Sequence, residues 1–415
     1  MGAPMSADAP STDFTRLAQY PGSGCEKYDR RAEIFGRDDV IPLWVADMDF
    51  PAPDFVTDAL AERLADGAFG YAKPSEGHLE AITGWLAGQH DWQVGAETIV
   101  PVPGVVPAMA MAIRAFTSPG ARVIIQPPVY FPFFQVVRDQ GRERVENPLV
   151  EQVSPDGIRG YGMDFEALEA QAREAEMLLL CNPHNPGGRA WNEAELGEVA
   201  AICSRHDVMV ISDEIHMDLT YPGIRHTPFA RVADSAGCRW FTVTAPGKTF
   251  NTAGIGGGYA VIPDAEIRKR FDRERRGMHL GEGSVFGLTA LKAAYTHGAK
   301  WPAELMAHVA SNRDRVIEAV ADLPIEPMWP EATYLLWLDC RGMGLSDAAT
   351  DPGDTALQRF FIDEAGLGLS QGIIFGEPGR GYMRINLAAP TRIIDRAMAQ
   401  LRAAWGKRVA GRGPA

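Results

Sequence analysis

Short apolar runs alternate with helix-like stretches along most of the chain. ARVIIQPP (121–128) is a β-branched run closed by prolines, and EMLLLC (176–181) is a second run that stops in the turn NPHNPGG. VMVISDEIH (208–216) is a third and RWFTVTAP (239–246) a fourth. Runs this short and this continuously apolar read as strands covered on both faces. Helical periodicity separates them, for example over 165–173 and 193–206. Asn192 stands where the second of these needs an N-cap, and the acids of NEAELGE fall near its start. The alternation predicts an α/β fold built on a parallel sheet.

Beyond about residue 290 the pattern changes. Helical stretches over 287–295 and 303–323 are followed by EATYLLWLDC (331–340), which reads as a strand, then by a helix-rich stretch and GYMRINLAAP (381–390). This predicts a smaller C-terminal α+β domain with its boundary near the helix at 300–322. The division expected is a disordered tail (1–20), a segment packing with the small domain (21–60), a large domain (61–295), the small domain (296–405) and a flexible tail (406–415).

Composition narrows the classes. In 415 residues, 46% are apolar and 23% charged, enough to fill a sizeable core and unlike a disordered chain. Forty basic against 54 acidic side chains give a net charge of −14, a poor field for nucleic acid or anionic membrane. The basic stretch RKRFDRERR (268–276) is interleaved with acids and reads as a solvated helix face. The five cysteines are scattered with no CxxC, and His184, His216 and His226 have no metal-ligand spacing, so neither a disulfide framework nor a metal site is expected. The start lacks a secretory signal pattern, and the most apolar stretch (99–113) is broken by Pro101, Pro103, Gly104 and Pro107. A soluble, reducing, cytoplasmic setting is expected.

Ligands of parallel α/β sheets bind at the carboxyl ends of the strands. Here those ends carry NPHNPGG, SDEIH and TAPGKTFN. Lys248 sits in an apolar, glycine-rich turn, where desolvation lowers the amine pKa and makes it a nucleophile toward carbonyls. The aldehyde of pyridoxal 5′-phosphate is the obvious partner. That cofactor also needs a carboxylate for its ring nitrogen, a donor for its phenolic oxygen, N–H groups for its phosphate and an aromatic face. Asp213, Asn185, the loop at Gly104, Val105 and Val106, and Tyr130 supply candidates in turn. Singly each has a bland reading: strand-end cap, turn former, loop glycine, core aromatic. Their joint occurrence in this order supports the cofactor.

On these residues the chain resembles the fold-type I pyridoxal-phosphate enzymes of the aspartate aminotransferase superfamily (class I/II), and within it the MalY/PatB-type branch of cystathionine β-lyases. The likeness runs from about residue 25 to 400. It rests on IPLWVADMDFPAP (41–53), FGYAKP (69–74), PVPGVVPAM (101–109), CNPHNPGG (181–188), SDEIHMDL (212–219), APGKTFNTAG (245–254) and YMRINLA (382–388). The resemblance implies a large domain with a mostly parallel seven-stranded sheet between helices, a smaller α+β domain, and a homodimer with shared active sites. It implies that Lys248 bonds the cofactor aldehyde and later acts as general base. Asp213 pairs with the ring nitrogen, Asn185 bonds the phenolic oxygen and Tyr130 stacks on the ring. Val105 and Val106 hold the phosphate, which Tyr71 reaches from the neighbouring subunit. Arg384 clamps the α-carboxylate of an amino-acid substrate, with Trp44, Ala46 and Asp47 lining the substrate side.

Three departures stand out. Gly247 replaces a serine that many relatives use on the phosphate, Gly256 stands where aspartate aminotransferases place an arginine, and His216 replaces their tyrosine. The implied activity is C–S β-lysis of cystathionine or cysteine S-conjugates. An aminotransferase on the same scaffold, or a regulatory binding protein that keeps the pocket, stay open as alternatives.

Overall fold

The four apolar runs all enter one sheet. The computed structural model describes residues 12–346 and 355–411, and the first eleven and last four residues of the expected tails lie outside that range. Seven strands make up the sheet: β1 (Ile99–Val102), β2 (Arg122–Ile125), β3 (Glu143–Glu146), β4 (Ala175–Cys181), β5 (Met209–Asp213), β6 (Trp240–Thr244) and β7 (Gly258–Val261). Their spatial order is β1–β7–β6–β5–β4–β2–β3. Every neighbouring pair is parallel except those made by β7, which runs antiparallel to both β1 and β6. The seven-stranded, mostly parallel sheet implied by the resemblance is thus present.

The helices that bear on the site are α1 (Asp54–Ala65), α2 (Glu76–His90), α3 (Val105–Phe116), α4 (Phe165–Ala172), α5 (Glu193–Arg205), α6 (Val285–His297), α7 (Trp301–Val320) and α8 (Thr391–Gly411). The period of two along β4 divides its side chains between two layers. Met177, Leu179 and Cys181 pack with α3 on one face, while Leu178 and Leu180 pack with α4 and α5 on the other. With both faces covered, every second residue has no reason to be polar, which is why the run is continuously apolar. Burying each such side chain contributes about 1.5–3 kcal/mol. Asn192 caps α5 as expected: its side chain accepts from the N–H groups of Ala194 (2.9 Å) and Glu195 (3.0 Å), and Glu195 accepts from the Asn192 N–H at 2.9 Å.

The C-terminal part contains a four-stranded antiparallel sheet of β8 (Glu326–Pro327), β9 (Leu335–Asp339), β10 (Ser370–Gln371) and β11 (Tyr382–Asn386), in the order β8–β9–β11–β10. Trp337 of β9 stacks on Tyr382 with ring centroids 5.1 Å apart, and its indole N–H donates to the Tyr161 hydroxyl at 3.1 Å. That contact ties the small sheet to the hairpin of 150–153 and 159–162, whose Tyr161 shares an apolar cluster with Leu178 and Leu180 of β4. A single apolar cluster also joins Leu291 and Tyr295 of α6 with Leu305 of α7, Leu335 of β9 and Ile385 of β11, so the core is continuous across residue 295. Ile41 and Pro42 pair in parallel with Leu367 and Gly368.

Two expectations about the ends need correction. Residues 12–20, expected as disordered tail, are packed: Phe14 is buried against Phe50, Trp301 and His308, and the Ala18 N–H donates to the Asp49 carbonyl at 2.8 Å. An aromatic anchor outweighs the polar composition around it. At the other end α8 runs on to Gly411, with Arg408 donating to Glu364, so the expected flexible tail is helical through 411. Among the described residues no helix is long and apolar enough to cross a membrane.

Candidate active site

Strand register brings the three polar signatures together. Cys181 at the end of β4 lies opposite Asp213 at the end of β5, and Asp213 lies opposite Val243 of β6. The chain beyond these ends encloses a cavity of about 210 Å³. It is lined by Ala46, Val105, Val106, Pro107, Tyr130, Cys181, Asn185, Asp213, Ile215, His216 and Lys248. Lys248, Asp213, Asn185, Tyr130, Val105, Val106, His216 and Ala46 therefore share one space, although they come from six separate stretches of sequence.

Lys248 leaves β6 on a tight turn in which Phe250 N–H donates to the Pro246 carbonyl at 2.9 Å and Thr252 N–H to Gly247 at 3.0 Å. Phe250 is fully buried and anchors the turn. The Lys248 Nζ donates to the Ala46 carbonyl at 2.5 Å. Burial lowers its pKa to about 8, assisted by Arg384 and opposed by Asp47 and Asp213. About a tenth of the amine is then neutral at pH 7, far more than for an ordinary lysine, as a nucleophile or base requires.

Asp213 is 4% exposed, and its carboxylate accepts from the Ile215 N–H at 3.1 Å. Burial raises its pKa to about 7, with the Ile215 N–H and Lys248 pulling the other way. A desolvated carboxyl of this kind gains from a protonated nitrogen placed beside it. Asn185 is held by its backbone, whose carbonyl accepts from the Tyr130 N–H at 3.0 Å. Its side-chain oxygen accepts from Arg384 Nη1 at 2.9 Å, which leaves the amide N–H groups as its free donors. Tyr130 adds a ring to the wall, and burial raises its hydroxyl pKa.

The helix α3 begins at Val105, and its first-turn N–H groups lack intrahelical acceptors by construction. Pro107 occupies the third position, where its missing N–H costs nothing. This end of α3 suits an anion. Gly104, just before it, has extended backbone (φ 168°) and is not among the lining residues.

Arg384 of β11 is 4% exposed. Its Nη2 donates to the Trp44 carbonyl (2.8 Å) and Ser370 Oγ (3.3 Å), and its guanidinium lies 4.8 Å from the centre of the Phe375 ring. Its Nε is buried without a hydrogen-bond partner, and no carboxylate pairs with it among the described residues. Burial lowers its pKa to about 10, still cationic at neutral pH. A desolvated guanidinium with an unused N–H is a receptor for a carboxylate.

Not every expected residue reaches the cavity. The Trp44 indole donates to the Lys27 carbonyl (3.1 Å) and packs edge-on against Phe35, so Trp44 offers the site its carbonyl rather than its ring. The Asp47 carboxylate is turned to Lys27, 3.2 Å away. Tyr71 is fully exposed and takes no part in the cavity of its own chain. His216 does line it, with Nδ1 buried and unpartnered, and burial together with Lys248 and Arg384 lowers its pKa to about 3. It faces the cavity as a neutral ring.

The glycine departures have steric reasons. A Cβ on Gly247 would lie 3.2 Å from the Ala253 Cα. Gly256 has φ +74°, and a Cβ on Gly287 of α6 would lie 2.8 Å from the Gly256 carbonyl oxygen. Within the GIGGG turn, Gly257 has φ +100° and a Cβ on Gly258 would lie 2.7 Å from the Thr244 carbonyl oxygen.

Several residues that build the site were not singled out from sequence. Asn251 has φ 54°, a left-handed conformation that Asn tolerates. Its side chain donates to the Met48 and Phe50 carbonyls (3.1 and 2.7 Å) and accepts from the Met48 N–H (3.1 Å). Asn386 donates to the carbonyls of Val45 (2.7 Å) and Asp47 (2.5 Å). The Tyr334 hydroxyl donates to the Ala46 carbonyl at 2.9 Å. All three pin the 44–50 segment over the cavity.

A reactive amine, a buried carboxyl seeking a cation, an amide donor, a helix N-terminus and an aromatic wall in one cavity fit the functional groups of pyridoxal phosphate. Comparison with known proteins agrees. The model for the family "Aminotransferase class I and II" matches residues 38–401. The chain is 39% identical to cystathionine beta-lyase PatB of Bacillus subtilis (strain 168) over 396 residues, covering 94% of this chain and 99% of that one. It is 32% identical to protein MalY of Escherichia coli (strain K12) over 395 residues, covering 94% and 97%. Its fold superposes with a TM-score of 0.89 on cystalysin from Treponema denticola, which contains a pyridoxal 5′-phosphate cofactor, at 34% identity over 95% of this chain and 99% of the other.

Proposed function

The chain belongs to the aminotransferase class I and II family, and from that membership we propose that it is a pyridoxal-phosphate-dependent C–S β-lyase. It cleaves L-cystathionine or other cysteine S-conjugates to a thiol, pyruvate and ammonia. The observation that carries the reading is the meeting of the Lys248 amine and the Asp213 carboxyl on one cavity, with Arg384 beside it lacking a counter-ion among the described residues. The likeness to PatB over nearly the whole chain favours the lyase over the aminotransferase branch.

When bound, the cofactor supplies an electron sink that makes the substrate Cα–H bond acidic. The protein's residues do the rest. Lys248 would hold the cofactor and take the proton from the substrate Cα. Asp213 would keep a proton on the ring nitrogen, and Asn185 would donate to the phenolic oxygen. Val105 and Val106 would offer N–H groups to the phosphate, and Tyr130 would cover a ring face. Arg384 would fix the substrate carboxylate and so aim Cα toward the amine; such positioning is worth several orders of magnitude in rate. Ala46, on the 44–50 segment, forms part of the cavity wall. Full exposure of Tyr71 supports a homodimer in which this side chain completes the neighbouring subunit's phosphate site. Four of the five cysteines are buried, which suits a reducing, cytoplasmic setting.

The test is release of pyruvate from L-cystathionine by the purified, cofactor-loaded protein with no keto acid present. Steady release with thiol and pyruvate in equal amounts is the expected result. Turnover that appears only after adding 2-oxoglutarate makes the protein an aminotransferase and overturns the lyase reading.

A further inference from the structure

Lys27 is completely buried, yet it belongs to a four-residue helix, Glu26–Asp29, whose sequence reads as surface. A buried lysine persists only when paired. Its Nζ lies 2.8 Å from Asp49 Oδ1 and 3.2 Å from Asp47 Oδ1, and it donates to the Asp47 carbonyl at 3.3 Å. Its own carbonyl accepts from the Trp44 indole at 3.1 Å. It therefore grips the 44–49 segment at both ends. Between those grips, the Trp44 carbonyl receives Arg384 Nη2 and the Ala46 carbonyl receives Lys248 Nζ.

We propose that Lys27 is a positioning residue of the active site, which acts through the 44–49 segment and balances the charge of the Asp47 carboxylate turned to it. It touches neither the cavity nor the reacting atoms. Asn251 and Asn386 also hold the backbone of this segment, so the contribution peculiar to Lys27 is its charge. The groups around it are the Asp47 and Asp49 carboxylates, the Tyr20 and Tyr28 hydroxyls and the Cys25 thiol. Asp49 has no exposed surface, whereas the Asp47 side chain keeps 21%. Asp47 favours a proton on Lys248, and Lys27 disfavours it. Loss of Lys27 therefore raises the pH at which the Lys248 nitrogen gives up its proton, and loss of the Asp47 charge lowers it.

The inference rests on Lys248 being the amine that carries the cofactor, and not on which reaction follows. The full-length, cofactor-loaded protein is titrated by following its visible absorption band near ~420 nm against pH. A unit charge removed at roughly 10 Å in a medium of effective dielectric ~20 moves such a midpoint by about one pH unit. Lys27→Met is expected to move the midpoint up by about that much, and Asp47→Asn to move it down. Lys27→Arg, which keeps the charge, is expected to leave it in place. The low-pH limb of kcat/KM follows the band, so Lys27→Met loses about tenfold on that limb and recovers at alkaline pH. If Lys27→Met does not fold, Asp47→Asn decides: a lowered midpoint supports the proposal and an unmoved one overturns it. A uniform loss of rate with the wild-type midpoint in Lys27→Met also overturns it. A shifted band in a protein that releases no pyruvate would leave this inference standing and remove the lyase reading alone.

Discussion

Lys248→Ala is expected to abolish the band near ~420 nm and to lower kcat/KM for cystathionine by at least ~10⁴-fold, the upper range for loss of a positioned base. The fold should survive. The Nζ makes one hydrogen bond, to the Ala46 carbonyl, and that carbonyl keeps the Tyr334 hydroxyl as a donor. The buried amine is also a stability cost. Its pKa falls from 10.5 to about 8, so below pH 8 the unfolded chain holds the proton more tightly than the folded one. At about 1.4 kcal/mol per pH unit, that disfavours folding by roughly 3 kcal/mol at neutral pH. Cofactor-free Lys248→Ala should therefore be no less stable than cofactor-free wild type, as judged by its urea midpoint. A variant that loses activity because it unfolds would not carry this signature.

Arg384→Lys is expected to lower kcat/KM by about 10²–10³-fold, chiefly by raising KM. Truncating one member of a buried charge-assisted set costs about 2–5 kcal/mol. Lysine keeps the charge and still fails. A single ammonium cannot bond Asn185 Oδ1 and the Trp44 carbonyl and also present two parallel N–H groups to a carboxylate. The partition between ligands identifies the role. A substrate analogue lacking the α-carboxylate should react equally poorly with wild type and variant. An equal loss for both compounds would mean that Arg384 serves only to hold Asn185 and the segment at Trp44.

How much of this was legible in the sequence depended on where the information lay. The central strands were readable because both faces of the sheet are covered, which leaves unbroken apolar runs such as MLLLC. β1 (IVPV), β3 (ERVE) and β7 (GYAV) break their apolar runs with proline, charge or glycine, and the seven-strand sheet followed only from the resemblance. Lys248, Asp213 and Asn185 were legible because each sits at the end of a recognisable strand, where polar residues in an apolar context stand out. Arg384 became assignable through the resemblance, and its lack of a counter-ion among the described residues appears only in three dimensions. Trp44 and Asp47 show the limit. The motif WVADMDF marks the segment over the cavity, but its spacing does not say which way the side chains turn. Lys27 left no trace at all, because a lysine between Glu26 and Tyr28 in a polar stretch looks like any surface residue. Its burial results from contacts with residues some twenty positions away.

The central claim is that one pyridoxal phosphate per chain is carried on Lys248 in the cavity walled in part by Ala46. Borohydride reduction of the yellow protein, followed by proteolysis and mass spectrometry, tests it most directly. The expected result is a phosphopyridoxyl group on the peptide containing TAPGKTF, attached at Lys248. A label on any other lysine, or a protein that takes up no cofactor when folded, would contradict it.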